Sequence, residues 1–112
     1  KVNNAEHTIE LRSESRTLYV VEADIMYGIQ KGRNVQVFLA DGSKINIPST
    51  ASNFFSQLNH YPCFMCPTEK TVVNARHIGK VAFHTIVMNN GQKFRTTSSV
   101  AKYALHVMKE FQ

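Results

Sequence analysis

Two short strings constrain this chain more than anything else in it. Asp41-Gly42 stands between Val35 to Leu39 and Lys44 to Ile47, and Asn89-Asn90-Gly91 stands between His84 to Met88 and Gln92 to Thr96. Both flanks of each string carry β-branched or aromatic residues at every second position. Asp-Gly and Asn-Gly supply the positive φ angles of tight strand reversals, so each string predicts an antiparallel hairpin, type I′ at Asn90-Gly91. A third hairpin opens the chain. Thr8 to Arg12 and Arg16 to Val20 alternate polar and apolar residues around Ser13-Glu14-Ser15.

Between these hairpins lie weaker signals. Asp24-Ile25-Met26-Tyr27-Gly28-Ile29 is an apolar segment, and the polar cluster Gln30-Lys31-Gly32-Arg33-Asn34 after it reads as a loop with two bases at its tip. Pro48 ends a strand. Ser49 to Leu58 then has helical spacing, with Ser49, Thr50 or Ser52 as N-cap and Phe54, Phe55 and Leu58 on the buried side. Tyr61 to Lys70 contains Pro62 and Pro67 and is expected to run extended into Thr71-Val72-Val73. Ile78, Val81 and Phe83 lead into the Asn-Gly hairpin. At the end, Val100, Ala104, Val107, Met108 and Phe111 fall on one helical face of Ser98 to Phe111, with Lys102, His106 and Lys109 opposite. The fold class expected is mostly β: elongated antiparallel sheets with one short internal helix and a C-terminal helix, in a single domain of 112 residues.

Charge separates along the chain. Residues 1–30 hold three Lys or Arg against five Asp or Glu, and residues 31–112 hold ten against three, so the balance moves from −2 to +7. A segment this basic suits a polyanion, because each cation placed on phosphate releases condensed counterions. An evenly solvated surface charge is the competing reading. No apolar run approaches the roughly 18 residues of a membrane span, and Lys1 to Glu10 does not resemble a signal peptide, so a cytoplasmic location is expected.

The residues offer little for catalysis. G-x-x-x-x-G-K-[ST], G-x-G-x-x-G and G-x-S-x-G are absent, and Glu6, Glu10, Glu14, Glu22 and Asp24 have no convergent histidine, so no enzyme activity and no cofactor are expected. His60, Cys63 and Cys66 could offer three metal ligands, but a structural zinc site wants four. Cys63 and Cys66 read as reduced thiols, with redox or metal control as the alternative. The remaining chemistry is that of phosphate and base-edge donors in loops: Lys31, Arg33 and Asn34; Thr68, Lys70 and Thr71; Arg76 and Lys80; Lys93 and Arg95; Ser98, Ser99 and Lys102.

The order of these pieces resembles the LytTR DNA-binding domain of bacterial response regulators. The matching residues are Asp24-Ile25-Met26-Tyr27 ahead of a strand, the Val35 to Ile47 hairpin, the helix ending near Leu58, Phe64 followed by Val73-Asn74 and Ile78, and the Asn90-Gly91 hairpin before a final helix. They span roughly residues 9–111. The resemblance implies binding of double-stranded DNA by three loops entering major grooves, and transcription regulation as the output module of a two-component regulator. It also implies a homodimer on repeated sites and a receiver domain earlier in a longer chain. Carried onto this sequence, the loops are Lys31 to Asn34, Cys66 to Thr71, and Ser98, Ser99 and Lys102.

The second loop of that family usually reads Phe-x-Arg-x-His-(Arg/Asn)-Ser-(Tyr/Phe). Here Cys66, Thr68, Glu69 and Lys70 stand in place of the Arg, the His, the next contact residue and the Ser. The third loop usually offers an Arg where Ser99 stands, a change worth on the order of 1 to 3 kcal/mol of base discrimination. Lys31, Arg33, Lys70 and Lys102 are expected to hold the backbone, and Asn34, Thr68 and Ser99 to reach bases. The alternative is a β interaction module that has lost base-specific contacts and binds a protein partner along a strand edge.

Overall fold

A computed structural model describes residues 7–58 and 60–112. Ten strands and two helices run in the order β1 (Thr8–Arg12), β2 (Thr17–Val21), β3 (Ile25–Lys31), β4 (Asn34–Leu39), β5 (Lys44–Ile47), α1 (Ala51–Leu58), β6 (Phe64–Thr68), β7 (Thr71–Asn74), β8 (Ile78–Ala82), β9 (Thr85–Met88), β10 (Lys93–Arg95) and α2 (Ser98–Phe111). Single 3-10 turns at Glu22–Asp24 and Ala75–His77 lead into β3 and β8. The strands form a hairpin β1-β2, a central sheet β5-β4-β3-β7-β6 and an outer sheet β10-β9-β8, every pairing antiparallel.

The central sheet is covered on both faces. One face packs Val35, Val37 and Val72 against Ile9 and Leu11 of β1 and Phe54 and Leu58 of α1. The other packs Tyr27 and Val73 against Ile86 and Met88 of β9, Phe94 of β10 and Ala104 and Val107 of α2. This double cover explains why Ile25-Met26-Tyr27-Gly28 and all of β7 are buried without alternation, whereas β1 and β9 alternate. Gly28 permits the close approach of α1: a Cβ there would lie 2.9 Å from Val35 Cγ1 and 3.2 Å from Phe54 Cε2.

Several reversals differ from the sequence expectation. Among the described residues only glycines take positive φ, at Gly32, Gly42 and Gly91. Asp41 and Asn90 are therefore not left-handed, and the type I′ turn expected at Asn90-Gly91 does not form. Gly91 N bonds Met88 O and Met88 N bonds Gln92 O, a three-residue loop closed by one left-handed glycine; Gly42, Leu39 and Ser43 repeat it. The cluster Gln30 to Asn34 is not an open loop either. Lys31 pairs with Asn34, and only Gly32-Arg33 turn, with Gly32 at φ +62°, as a type II′ reversal requires.

Tyr61 to Lys70 contains a fourth reversal that the prolines hid. Phe64 to Thr68 pairs with β7 through a register irregularity between Met65 and Thr68, and Pro67 sits in that irregularity on an edge strand, where its missing N–H costs no ladder bond. Phe83 is not in a strand: it is 75% exposed in the turn between β8 and β9. The helices are capped as their sequences allow. Thr50 Oγ1 accepts from Asn53 N at 3.1 Å, and Thr97 Oγ1 accepts from Val100 N at 3.2 Å.

Candidate nucleic-acid interface

Antiparallel register places the polar loops at one end of the molecule. β3 climbs to Lys31, and β7, its other neighbour, starts beside it: Ile29 pairs with Thr71 and Gln30 N donates to Lys70 O at 2.8 Å. The turns Gly32-Arg33 and Glu69-Lys70 are thereby adjacent. The third segment joins through β6. Thr96 Oγ1 donates to Pro67 O at 2.7 Å, which sets Thr97, Ser98 and Ser99 next to the β6-β7 turn. Lys102 follows one helical turn into α2, exposed.

Two further pieces share this end. Thr96 N donates to His84 O at 2.9 Å, and His84 Nδ1 lies 3.2 Å from Thr96 O, so the exposed Phe83-His84 turn adjoins the start of α2. Arg95 closes β10 immediately before Thr96. Arg95 is among the candidate phosphate donors read from the sequence, whereas Phe83 and His84 are not. The signal that could have found them is the Thr85↔Arg95 pairing, which brings the β8-β9 turn to the end of β10 once the Asn-Gly hairpin is fixed.

The side chains at this end differ in what they leave free. Lys31, Arg33, Glu69, Lys70, Ser99 and Lys102 are exposed. Thr68 and Thr71 are committed to one another. Their hydroxyl oxygens lie 2.8 Å apart, Thr71 Oγ1 accepts from Thr68 N and Thr68 Oγ1 accepts from Lys70 N, both at 3.2 Å. The pair ties the two ends of the turn together. Asn34 is half-buried and borders a separate groove of about 440 Å³ with Ser13, Glu14, Ser15 and Arg16, and Ser99 Oγ lies 3.3 Å from Thr97 Oγ1.

Opposite charge collects at the other end of the central sheet. Asp24 and Asp41 lie there, joined through the Ala40 N to Asp24 O bond, and the Ser43 hydroxyl and N–H hold the Asp41 carboxyl below its ordinary range. Glu22, the third acid, is fully buried. Its Oε1 accepts from Cys63 Sγ at 3.0 Å and from Arg76 Nη2 at 3.5 Å, while the Arg76 guanidinium stacks 5.1 Å from the Phe111 ring. Arg76 is thus spent on the interior. Burial first, then the bond to Glu22, pushes the Cys63 thiol up to about 12. Burial also raises the thiol of Cys66. Among the described residues no three His, Cys, Asp or Glu side chains gather as metal ligands, and Glu6 lies outside the described residues.

No family model and no curated protein matches the sequence. Among solved structures, the chain is similar to the LytTr DNA-binding domain of a methyl-accepting/DNA response regulator from Bacillus cereus. The TM-score is 0.66 at 19% sequence identity, over 90% of this chain and 95% of that one. The LytTR resemblance read from the residues is therefore present in the fold: mostly β, antiparallel, with two helices in the expected places. Among the described residues no helix is long and apolar enough to cross a membrane.

Proposed function

We propose that this chain binds double-stranded DNA through the end bearing Lys31, Arg33, Lys70 and Lys102, as the non-enzymatic output module of a transcription regulator. The observation that carries the reading is the pair of bonds Gln30 N to Lys70 O and Thr96 Oγ1 to Pro67 O, which gathers turns from three parts of the chain on one edge. Strands lie about 4.8 Å apart, so the β3-β4 and β6-β7 tips stand roughly 10 Å from each other. A major groove is about 12 Å wide, so the two tips match the reach from one groove wall to the other. Lys31, Arg33, Lys70 and Lys102 hold phosphates. Ser99, Asn34 and Thr68 are the neutral side chains left to approach bases, Thr68 with its hydroxyl also held against Thr71.

The similar structure from Bacillus cereus is described as the DNA-binding domain of a response regulator, and a comparable place in a longer chain, with a receiver domain and a homodimer on repeated sites, belongs to this proposal. Titration of a duplex with salt tests it. With four phosphates engaged, log affinity should fall against log salt with a slope of roughly −3 to −4. Binding indifferent to salt would overturn the reading.

A further inference from the structure

We propose that β2 is a self-association edge, on which a second copy of this chain pairs antiparallel with Tyr19 at the two-fold axis. Among the described residues β2 is bonded to β1 alone, and nothing pairs its other side. The register says which groups that leaves open. Glu22 N donates to His7 O and Ser13 N donates to Arg16 O, so the bonded pairs between these limits are Ile9 with Val20 and Leu11 with Leu18. Thr17, Tyr19 and Val21 therefore turn their N–H and C=O outward. Their side chains are exposed as well, Tyr19 by 70% and Val21 by 36%.

The other edge strands carry protection and this one does not. β1 has Glu10 and Arg12, β5 has Lys44, and β10 has Lys93 and Arg95. Pro67 and a register irregularity interrupt β6, and a second irregularity beside Lys80 interrupts β8. Such features keep foreign strands from adding to a sheet. Thr17-Leu18-Tyr19-Val20-Val21 has no charge, proline or irregularity.

A second copy fits because the strand is complementary to itself. With Tyr19 opposite Tyr19, Thr17 lies opposite Val21 and Leu18 opposite Val20, so no like charges meet within the strand and each outward residue exchanges both backbone bonds. The ends match too. β2 starts beside Asn34 and Lys44 and finishes beside Asp24 and Asp41, so antiparallel pairing brings Arg16 and Lys44 of one copy towards Asp24 and Asp41 of the other. The axis lies perpendicular to the strands and reverses their direction. On the duplex-binding reading above, the two lysine-bearing ends then face opposite ways and one pair meets two separate duplexes.

Disulfide trapping tests the pairing on the full chain. Bonded antiparallel partners have Cα atoms about 5.5 Å apart, within reach of a disulfide, whereas four residues of stagger put the two copies of Thr17 about 14 Å apart. Under mild oxidation Tyr19→Cys should form a covalent dimer at least about tenfold faster than Thr17→Cys or Val21→Cys alone, and mixing those two variants should restore trapping. The wild type, with Cys63 buried and Cys66 half-buried, gives the background rate. Sedimentation equilibrium from micromolar to millimolar concentration should show a monomer–dimer equilibrium, weakened about tenfold or more by Tyr19→Lys. Tyr19 is exposed, so circular dichroism and melting of that variant should match the wild type. Equal trapping at all three positions, or a wild type that stays monomeric throughout, overturns the proposal. Duplex titration reads neither quantity, so each reading can fail alone.

Discussion

Gln30 donates its backbone N–H to the carbonyl oxygen of Lys70 across 2.8 Å, and through its side chain it also meets α1, where Oε1 accepts from Ala51 N at 2.8 Å. One residue thereby ties the first hairpin to the second and to the helix beneath. These two bonds fix the spacing of the Gly32-Arg33 and Glu69-Lys70 turns, on which the proposed duplex contact depends.

Replacing Lys31 and Lys70 together by alanine should reduce duplex affinity and lower the salt slope by about 1.8, two phosphate contacts at about 0.9 each. Both side chains are exposed, so stability should stay within about 0.5 kcal/mol. Anisotropy titrations at several salt concentrations measure the slope. An unchanged slope with unchanged affinity would move the interface elsewhere and favour a protein partner.

Gly28→Ala should destabilise the fold by about 1 to 3 kcal/mol, the range for overpacking a filled core. The cause is local: the added methyl meets Val35 Cγ1 at 2.9 Å and the Phe54 ring at 3.2 Å, both within the packed face under α1. Urea unfolding gives the number. A companion Phe54→Leu change should recover part of the loss by vacating the space.

Arg76→Ala should cost about 3 to 5 kcal/mol, because it strands the buried Glu22 carboxylate without its cation. Replacing both partners by leucine should be far milder, since no charge then remains in the interior. The comparison is a double-mutant cycle in urea made of Glu22→Leu, Arg76→Leu and the two together. Additive losses would mean that the pair does not interact in the folded chain.

The hairpins were legible in the sequence because they are local. Asp41-Gly42 and Asn90-Gly91 each needed only a few residues on either side, and the error there was the turn class, which depends on whether one or two residues turn left-handed. The β6-β7 hairpin was not legible, since Pro67 reads as a breaker unless the strand is known to lie on an edge. Likewise Glu22 and Arg76 are 54 positions apart, and no pattern in either neighbourhood announces that one will cover the other. For the site, the basic residues were readable and their convergence was not. That convergence comes from the β3-β7 register and the Thr96 to Pro67 bond, both long-range.

Cys63 gives the fold an alkaline limit. Its thiol is buried and donates to Glu22, and ionising it in place would set a thiolate beside a carboxylate, so its ordinary value of 9.0 rises to about 12 in the folded chain. Between about pH 9 and pH 12 the unfolded chain therefore releases a proton that the folded chain keeps. Stability falls as pH rises wherever the unfolded state binds fewer protons, at most by about 1.4 kcal/mol per pH unit for one group. Below pH 9 both states hold the proton and this contribution is flat. Lysines and tyrosines titrate in the same window, so the measurement is a difference. Urea unfolding of the wild type and of Cys63→Ala at pH 8, 9 and 10 should show the two stabilities converging as pH rises, because only the wild type has this thiol to lose. Stabilities that run parallel across the three values would mean that the thiol is solvated in the folded chain and that its contact with Glu22 is not maintained.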